Sequence, residues 1–510
     1  MSTVATADDE DANKPKGIRL VLITISLLLA PLIQVFDTSI LSIALGQMQG
    51  SLSATQDQIA WVLTSYLIAV AIATPVWGAL GQTFGRKPLL LISIVGFLIF
   101  SILAAKSTTL EEMLFNRFMQ GIFGASLIPL ALSSLLANYP RQDIGIAMSY
   151  WGVGIMFGPV FGPTIGGYIV EYYDWRWAFY INVPVCIVAF AMILTLVPRA
   201  GNRHPRKFNY YGFALLAITV ASAQFILDRG QRMEWFASPT IIVLSLVCAA
   251  ALWMFIVHSL TSDEPFLDPE IFADKNYLSG VFLRVLFGLM LFGSLVLIPP
   301  FLQNQGGYTL LDSGMLLAPR GFGTMIGALF LGRLIKVIDP RRVILAGMLL
   351  TAYTMWEMSL FTSDMHYYRI VVIHVIQGFA FSCFVIPVNT VAFSTLPEEK
   401  RDVGTSFYAL LNNIGRSIGI AILAGYLASQ TQVSRSVLSS SVTPFNDYVR
   451  HFGLPSSIDL STEQGRAIVD RILGQQAELV AYVDDFRMLA VLILCFVPIP
   501  LLMSKPTLVK

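Results

Sequence analysis

The sequence predicts an all-α polytopic membrane protein of about fourteen transmembrane helices, arranged as two pseudo-symmetric six-helix halves with two further helices inserted between them. Three observations carry this. The 510 residues are 55% hydrophobic and 13% charged, more apolar sequence than a soluble chain of this length uses. Apolar segments of about 20 residues, enough to cross roughly 30 Å of hydrocarbon, recur along the whole chain. Matched motifs repeat at an offset of about 255 residues.

The chain opens on a tail, residues 1–17, that is acidic ahead of Lys14 and Lys16. The apolar run behind it is longer than a signal-peptide core and has no clear small-residue cleavage site, so it is expected to remain as the first span. Spans are expected near residues 18–46, 58–80, 88–106, 111–137, 142–170 and 178–198, which make an N-terminal half of 18–198. Two inserted spans near 210–228 and 239–259 fall within 199–276. The C-terminal half, 277–504, takes spans near 277–303, 312–335, 343–361, 368–395, 404–428 and 486–504, and residues 505–510 form a second tail. Between the last two spans lies an external loop, 429–485, where Thr462 and Glu463 give a helix-start signal. A loop this long is either functional or disordered, and a partner contact is one expectation.

The duplication rests on three ordered matches. Gly78-Ala-Leu80 through Arg86-Lys87 corresponds to Gly332-Arg-Leu334 through Arg341-Arg342. Arg117-x-x-Gln120-Gly121, followed by Pro129, corresponds to His374-x-x-Gln377-Gly378, followed by Pro387. Pro140 with Asp143-x-Gly145 corresponds to Pro397 with Asp402-x-Gly404. Six spans per half preserve orientation, so the halves should be related by an axis along the membrane normal, with a cavity at their interface. Basic residues gather on alternate loops, at Arg86 and Lys87, Arg141, Arg199 to Lys207, Arg341 and Arg342, and Lys400 and Arg401. That side is expected to be cytoplasmic, with both termini on it. Tyr172, Tyr173, Trp175 and Trp177 make an aromatic belt on the other side.

Several function classes are disfavoured. A formal net charge of +1 gives no field for nucleic acid. Cys186, Cys248, Cys383 and Cys495 are isolated within apolar runs, so free thiols are expected, with no disulfide and no metal. There is no GxxxxGK[ST] to cradle ATP and no metal-ligand cluster, so no cofactor is expected and the drive should come from a gradient.

The fifth span carries glycine every fourth residue, at Gly154, Gly158, Gly162 and Gly166, with Gly167 adjoining. At helical spacing these form one smooth stripe against which another helix can pack backbone to backbone. Pro159 and Pro163 each free a carbonyl four residues back, which predicts a bent helix lying against a partner. From the residues alone this is either a kinked packing helix or a mechanistic element.

Charges within spans are the other candidates. Asp37, in APLIQVFDTSILSIAL, costs about 2.5 to 3.5 kcal/mol on insertion scales and is either a proton carrier or the static partner of an arginine. Gln34, one turn earlier, should share its cavity. Arg117 stays charged and is expected either to set the proton affinity of a nearby acid or to snorkel to the surface. His374 occupies the repeat-equivalent position, with Gln377 one turn on, and is either a cavity group or a satisfied buried histidine. Glu357 reads as lying about halfway across its span, with Trp356 adjoining and Tyr353 one turn back. That acid among aromatic rings suits lipophilic cations, or else it pairs with Arg320 or Arg284. Arg284, Arg320 and Arg416 are expected to neutralise acids across helices. The loop motif Gly78, Gly85, Arg86 and Lys87 reads as a cytoplasmic anchor that also latches the halves.

With these residues placed, the chain resembles the fourteen-span drug:proton antiporters of the major facilitator superfamily, and among them the EmrB-type multidrug efflux permeases. The resemblance rests on Phe36-Asp37-Thr38, on Arg117 with Gln120-Gly121, on Gly158-Pro159, Gly162-Pro163 and Gly166-Gly167, on Asn182-Val-Pro184, on Leu227-Asp228-Arg229-Gly230, and on Ile376-Gln377-Gly378-Phe379. The fifth-span series looks like the antiporter signature, which in that family seals the halves together and marks exporters. One departure is Gln82, where the family's loop motif has an acid. The resemblance implies an inner-membrane permease that exports hydrophobic or amphipathic compounds in exchange for protons. It also implies delivery to a periplasmic adaptor and an outer-membrane channel. The alternatives are a proton symporter or facilitator of the same fold for a small nutrient, and a receptor or membrane enzyme.

Overall fold

Polar caps set where the helices begin. Thr55 accepts from the Gln58 backbone at 3.3 Å while Gln58 accepts from the Thr55 backbone at 2.9 Å, a reciprocal capping box at the head of the second span. Asp274 accepts from the backbones of Asn276 and Tyr277 at 2.8 and 3.1 Å, and Thr462 from that of Gly465 at 3.0 Å. Gly85, with φ of 89°, turns the chain between two consecutive helices in a conformation other residues rarely adopt.

The computed structural model describes residues 15–140, 143–198, 208–335, 337–397, 400–442 and 462–504, and within its helices the side chains of Gln82, Pro159, Pro163 and Asp402 lie outside the described set. The described residues are all-helical. The first half comprises α1 (Gly17–Ser51), α2 (Gln56–Phe84), α3 (Arg86–Lys106), α4 (Leu110–Gly124) continued by α5 (Leu127–Asn138), α6 (Ile144–Tyr172) and α7 (Asn182–Leu196). The inserted pair is α8 (Tyr210–Arg229) and α9 (Pro239–Thr261). The second half comprises α10 (Lys275–Asn304), α11 (Leu310–Leu334), α12 (Pro340–Met358), α13 (Tyr367–Ser394), α14 (Arg401–Ser441) and α15 (Glu463–Phe496).

Each of the fourteen expected spans falls on one of these helices, with α4 and α5 together making the fourth. Among the described residues twelve helices are long and apolar enough to cross a membrane. The other two spans are α6 and the 19-residue α12. The break between α4 and α5 has a local cause, because Pro129 has no N–H for the carbonyl of Ala125 and the helix opens at Ala125 and Ser126.

The external loop is different from a loop. Helix α14 runs on past residue 428 to Ser441, and α15 starts at Glu463, well before residue 486. Polar sequence does not stop a helix without glycine or proline, and the extensions are tied by Arg435 and Asp470 at 2.6 Å.

The two halves meet where α6 passes α11 and α13 and where α2 and α5 pass α14. A methyl in place of the Gly332 hydrogen would lie 2.7 Å from Ser149 Oγ, and one on Gly152 would lie 3.2 Å from Ile386. Inserted helix α8 touches both halves, bonding Thr64 of α2 through Asp228 and Ser417 of α14 through Gln224 at 2.7 Å. Outside the spans, Lys400 reaches Asp268 at 2.8 Å and Glu270 at 2.6 Å, joining the segment before α10 to the start of α14. By accepting its hydrogen bonds, Asp268 and Glu270 raise the Lys400 pKa above its ordinary value, so this clamp stays charged through neutral pH.

Candidate functional site

Asp37 is buried on α1 at 1% exposure, and Arg117, fully buried on α4, donates from Nη1 to Asp37 Oδ2 at 2.6 Å. Gln120, three residues on and therefore on the same face of α4, donates to Asp37 Oδ1 at 3.1 Å. Asn182, the first residue of α7, donates to that same oxygen at 2.9 Å and to Ser101 Oγ at 3.1 Å. Helices α4 and α7 thus converge on a carboxylate of α1. Arg117 is held in turn by Gln120 Oε1 at 2.6 Å, by the Val62 carbonyl at 3.3 Å and by the face of Tyr66, whose centroid lies 4.2 Å from its guanidinium carbon. A buried ion pair repays the desolvation of its charges only when the remaining lone pairs and protons are met, and three donors on two oxygens do this for Asp37. Arg117 is therefore a buried partner rather than a snorkelling residue.

A cavity lies beside this network, between the halves, with about 940 Å³ of empty space including its mouth. Helices α1, α2, α5 and α6 wall it on one side and α10, α13 and α14 on the other. Gln34, Thr38 and Tyr66 line it, whereas Asp37 does not. Tyr66 therefore touches the ion pair and faces the cavity at once. The opposite wall carries Arg284 and Arg416, and no Asp, Glu or His is among the described lining residues.

The Major Facilitator Superfamily profile matches residues 27–420, a stretch that contains Asp37, Arg117, Gln120, Asn182 and every residue lining the cavity. The chain belongs to the Major Facilitator Superfamily. It is 35% identical over 433 residues to the multidrug export protein EmrB of Escherichia coli (strain K12), covering 84% of this chain and 85% of that one. It is 33% identical over 426 residues to the probable multidrug resistance protein EmrY of the same strain, covering 83% of each. Its fold is similar to that of the human organic anion transporter MFSD10 (TETRAN), with a TM-score of 0.59 at 13% identity over 94% of this chain and 100% of that one.

In this major facilitator chain the glycine stripe packs on α1, within the first half. Methyl groups on Gly154, Gly158 and Gly162 would lie 2.8 Å from Leu28, 2.4 Å from Val35 and 2.5 Å from Ser39, and one on Gly166 would lie 3.1 Å from the Ile40 backbone. Gly167 has nothing within 4 Å of that position. The expectation that the stripe seals the two halves against each other is corrected: its glycines face α1, and α6 meets the second half at the preceding turns, around Ser149 and Gly152. Within the loop motif, Lys87 donates to the Leu194 and Val197 carbonyls at 2.8 and 2.7 Å, at the end of α7 in the same half. The side chain of Gln82 and the pair Arg199 and Arg203 fall outside the described residues.

Glu357, Trp356 and Tyr353 are not cavity residues. Helix α12 ends at Met358, so Glu357 lies in its last turn instead of at mid-span, and it pairs with Arg369 at 3.0 Å rather than with Arg320 or Arg284. Trp356 and Tyr353 are 49% and 52% exposed. His374 and Gln377 are buried within the second half, away from the cavity lining, with His374 Nδ1 against the Ile370 carbonyl at 2.8 Å and Gln377 Nε2 against the sulfurs of Met355 and Met358. Arg284, Arg320 and Arg416 neutralise no acid among the described residues. Arg320 instead donates to Ser294 Oγ at 3.3 Å.

Sequence reasoning read Asn182 only as part of the Asn182-Val-Pro184 motif, with no role at the site, and passed over Tyr66 and Asp485. Asn182 and Tyr66 carry no charge, and only their neighbours in space give them a place at the site. Asp485 is fully buried with neither oxygen hydrogen-bonded, one residue before the place where the apolar run alone would start the last span.

Proposed function

We propose that this chain is a proton-coupled antiporter that exports hydrophobic or amphipathic compounds, with Asp37 as the proton carrier and Arg117 as the group that sets its affinity. The observation that carries the reading is the buried Asp37–Arg117 pair at 2.6 Å, one residue away from a cavity between the halves. Kinship with multidrug export proteins supports the direction of transport. Neutralising Asp37 by a proton removes half of the pair, and Arg117 keeps Gln120, the Val62 carbonyl and the Tyr66 face. Tyr66 and Gln34 then carry the change to the cavity wall. In the outward-open state the protonated acid accompanies release of substrate, and in the inward-open state loss of the proton restores the pair and the binding wall. Close packing of the glycine stripe makes α6 and α1 move as one unit, so a change at Asp37 shifts the helix that contacts the second half.

The working halves are residues 18–198 and 277–504, with the inserted pair in 199–276. We assign the protein to the inner membrane with both termini in the cytoplasm, on the strength of the basic loops. The α14–α15 hairpin then projects externally. Ile468, Ile472, Val433 and Val437 are exposed along it, which supports contact with a periplasmic adaptor and, through it, an outer-membrane channel.

The test is purified protein in liposomes under an imposed pH gradient. A gradient acidic on the external side should drive compounds outward, and the same gradient driving uptake would make the chain a symporter.

A further inference from the structure

We propose that Arg284 and Arg416 form a headgroup subsite in the central cavity for an organic anion with an apolar body, such as a carboxylate, sulfonate or phenolate. The proposal rests on the exporter reading for its transport consequence and on geometry alone for the binding. Both arginines line the cavity, from α10 and α14, and among the described residues no carboxylate lines it with them. Neither arginine has an ion pair among the described residues, and Arg284 Nε is buried without an acceptor. The acid of the first half, Asp37, is already occupied by Arg117, Gln120 and Asn182.

Aromatic rings hold the two cations without meeting their donors. The Arg416 guanidinium carbon lies 4.7 Å from the Phe292 centroid, and that of Arg284 lies 5.3 Å from Phe287 and 5.6 Å from Tyr408. The Tyr408 hydroxyl donates to Asn389 Oδ1 at 2.6 Å. A guanidinium offers five donors and no acceptor, and its fork of N–H groups fits carboxylate and sulfonate oxygens. The facing wall supplies Val35, Val70, Ile128 and Leu132 for an apolar body. Two unpaired cations also repel a cationic amphiphile. The duplication has thus been divided in use: the first half holds the titratable pair, and the second half holds the charge that reads the cargo.

The test compares two dyes that share a scaffold, 8-anilinonaphthalene-1-sulfonate and the uncharged N-phenyl-1-naphthylamine, binding to the full chain in lipid nanodiscs with empty discs subtracted. Wild type should bind the sulfonate at least about tenfold more tightly, the scale of a charge-assisted hydrogen bond. Arg284→Gln and Arg416→Gln should each bring the ratio of the two affinities toward one, and Arg284→Lys should keep most of it. A second measurement needs no variant: decyl sulfate should displace the neutral dye from wild type at lower concentration than decyltrimethylammonium does. Equal affinities for the two dyes in wild type, an unchanged ratio in both glutamine variants, or better displacement by the ammonium compound would each overturn the subsite. Anion binding without gradient-driven export would retire the exporter reading and leave the subsite standing, and export with no anion preference would do the reverse.

Discussion

The guanidinium carbon of Arg117 lies 4.2 Å from the centroid of the Tyr66 ring, and Tyr66 also lines the cavity between the two halves. One ring therefore separates a buried ion pair from the space where a substrate can sit. Arg117 cannot shift away from Asp37 without sliding over that ring, and a substrate cannot fill the wall beside Gln34 without pressing on it. Coupling between proton and substrate then needs no direct contact between them.

Removing one partner of this pair should cost stability as well as coupling. Asp37→Asn leaves Arg117 as a buried cation with neutral neighbours, a loss of about 3 kcal/mol or more. Arg117→Gln should cost a similar amount by stranding Asp37, and the double variant should regain much of the thermal stability while remaining inactive in transport. Thermal unfolding of the three purified variants checks this. A double variant whose loss equals the sum of the single losses would show that the two residues are energetically independent.

The glycine stripe should be graded by contact. Gly158→Ala and Gly162→Ala put a methyl 2.4 to 2.5 Å from Val35 and Ser39 and should destabilise the fold by about 1 to 3 kcal/mol, with transport falling accordingly. Gly167→Ala meets nothing within 4 Å and should be tolerated. Transport per unit of folded protein, measured for all three, separates the stripe from its neighbour.

The α14–α15 hairpin divides into a tip and a root. Ala477, Ala481 and Tyr482 are buried, Tyr482 lies 5.4 Å from Phe301, and Glu478 is held by Asn304 and Gln305 at 3.1 and 3.2 Å. A flexible linker replacing residues 434–474 should therefore spare liposome transport while weakening resistance in cells, if the tip contacts an adaptor. A linker extended to residue 481 should damage the fold, which protein yield after detergent extraction will read.

Glu357→Gln should change little. Its pair with Arg369 is 22% and 46% exposed on the two sides, and such pairs contribute less than about 1 kcal/mol. Export of one cationic and one neutral compound, normalised to membrane protein level, should stay within about twofold of wild type. A selective loss of the cationic compound would return Glu357 to substrate recognition.

The contrast between Asp37 and Glu357 shows what the sequence made legible. Both are acids within apolar runs, and hydropathy marks them equally. Asp37 has no other charged residue for more than two turns on either side, so its depth in the membrane follows from the pattern. Glu357 is followed by Leu360 and Phe361 before the polar stretch Thr362 to Asp364, and the run therefore overstates the helix, which stops at Met358. The partner of each acid was not legible, because Asp37 is 80 residues from Arg117 and 145 from Asn182, and only tertiary packing brings them together. The glycine stripe was readable as a contact surface, but the identity of the helix across from it was not. Arg284 and Arg416 carry the clearest loss of information, since a mid-span arginine reads the same whether it faces an acid or an open cavity.

The central claim is that Asp37 gives up a proton when substrate binds. Wild-type protein in weakly buffered detergent solution, assayed over a series of pH values, should release protons on addition of a saturating exported compound. The release should disappear in Asp37→Asn under the same conditions, with binding itself monitored separately. Undiminished proton release from a folded Asp37→Asn variant that still binds the compound would contradict the account.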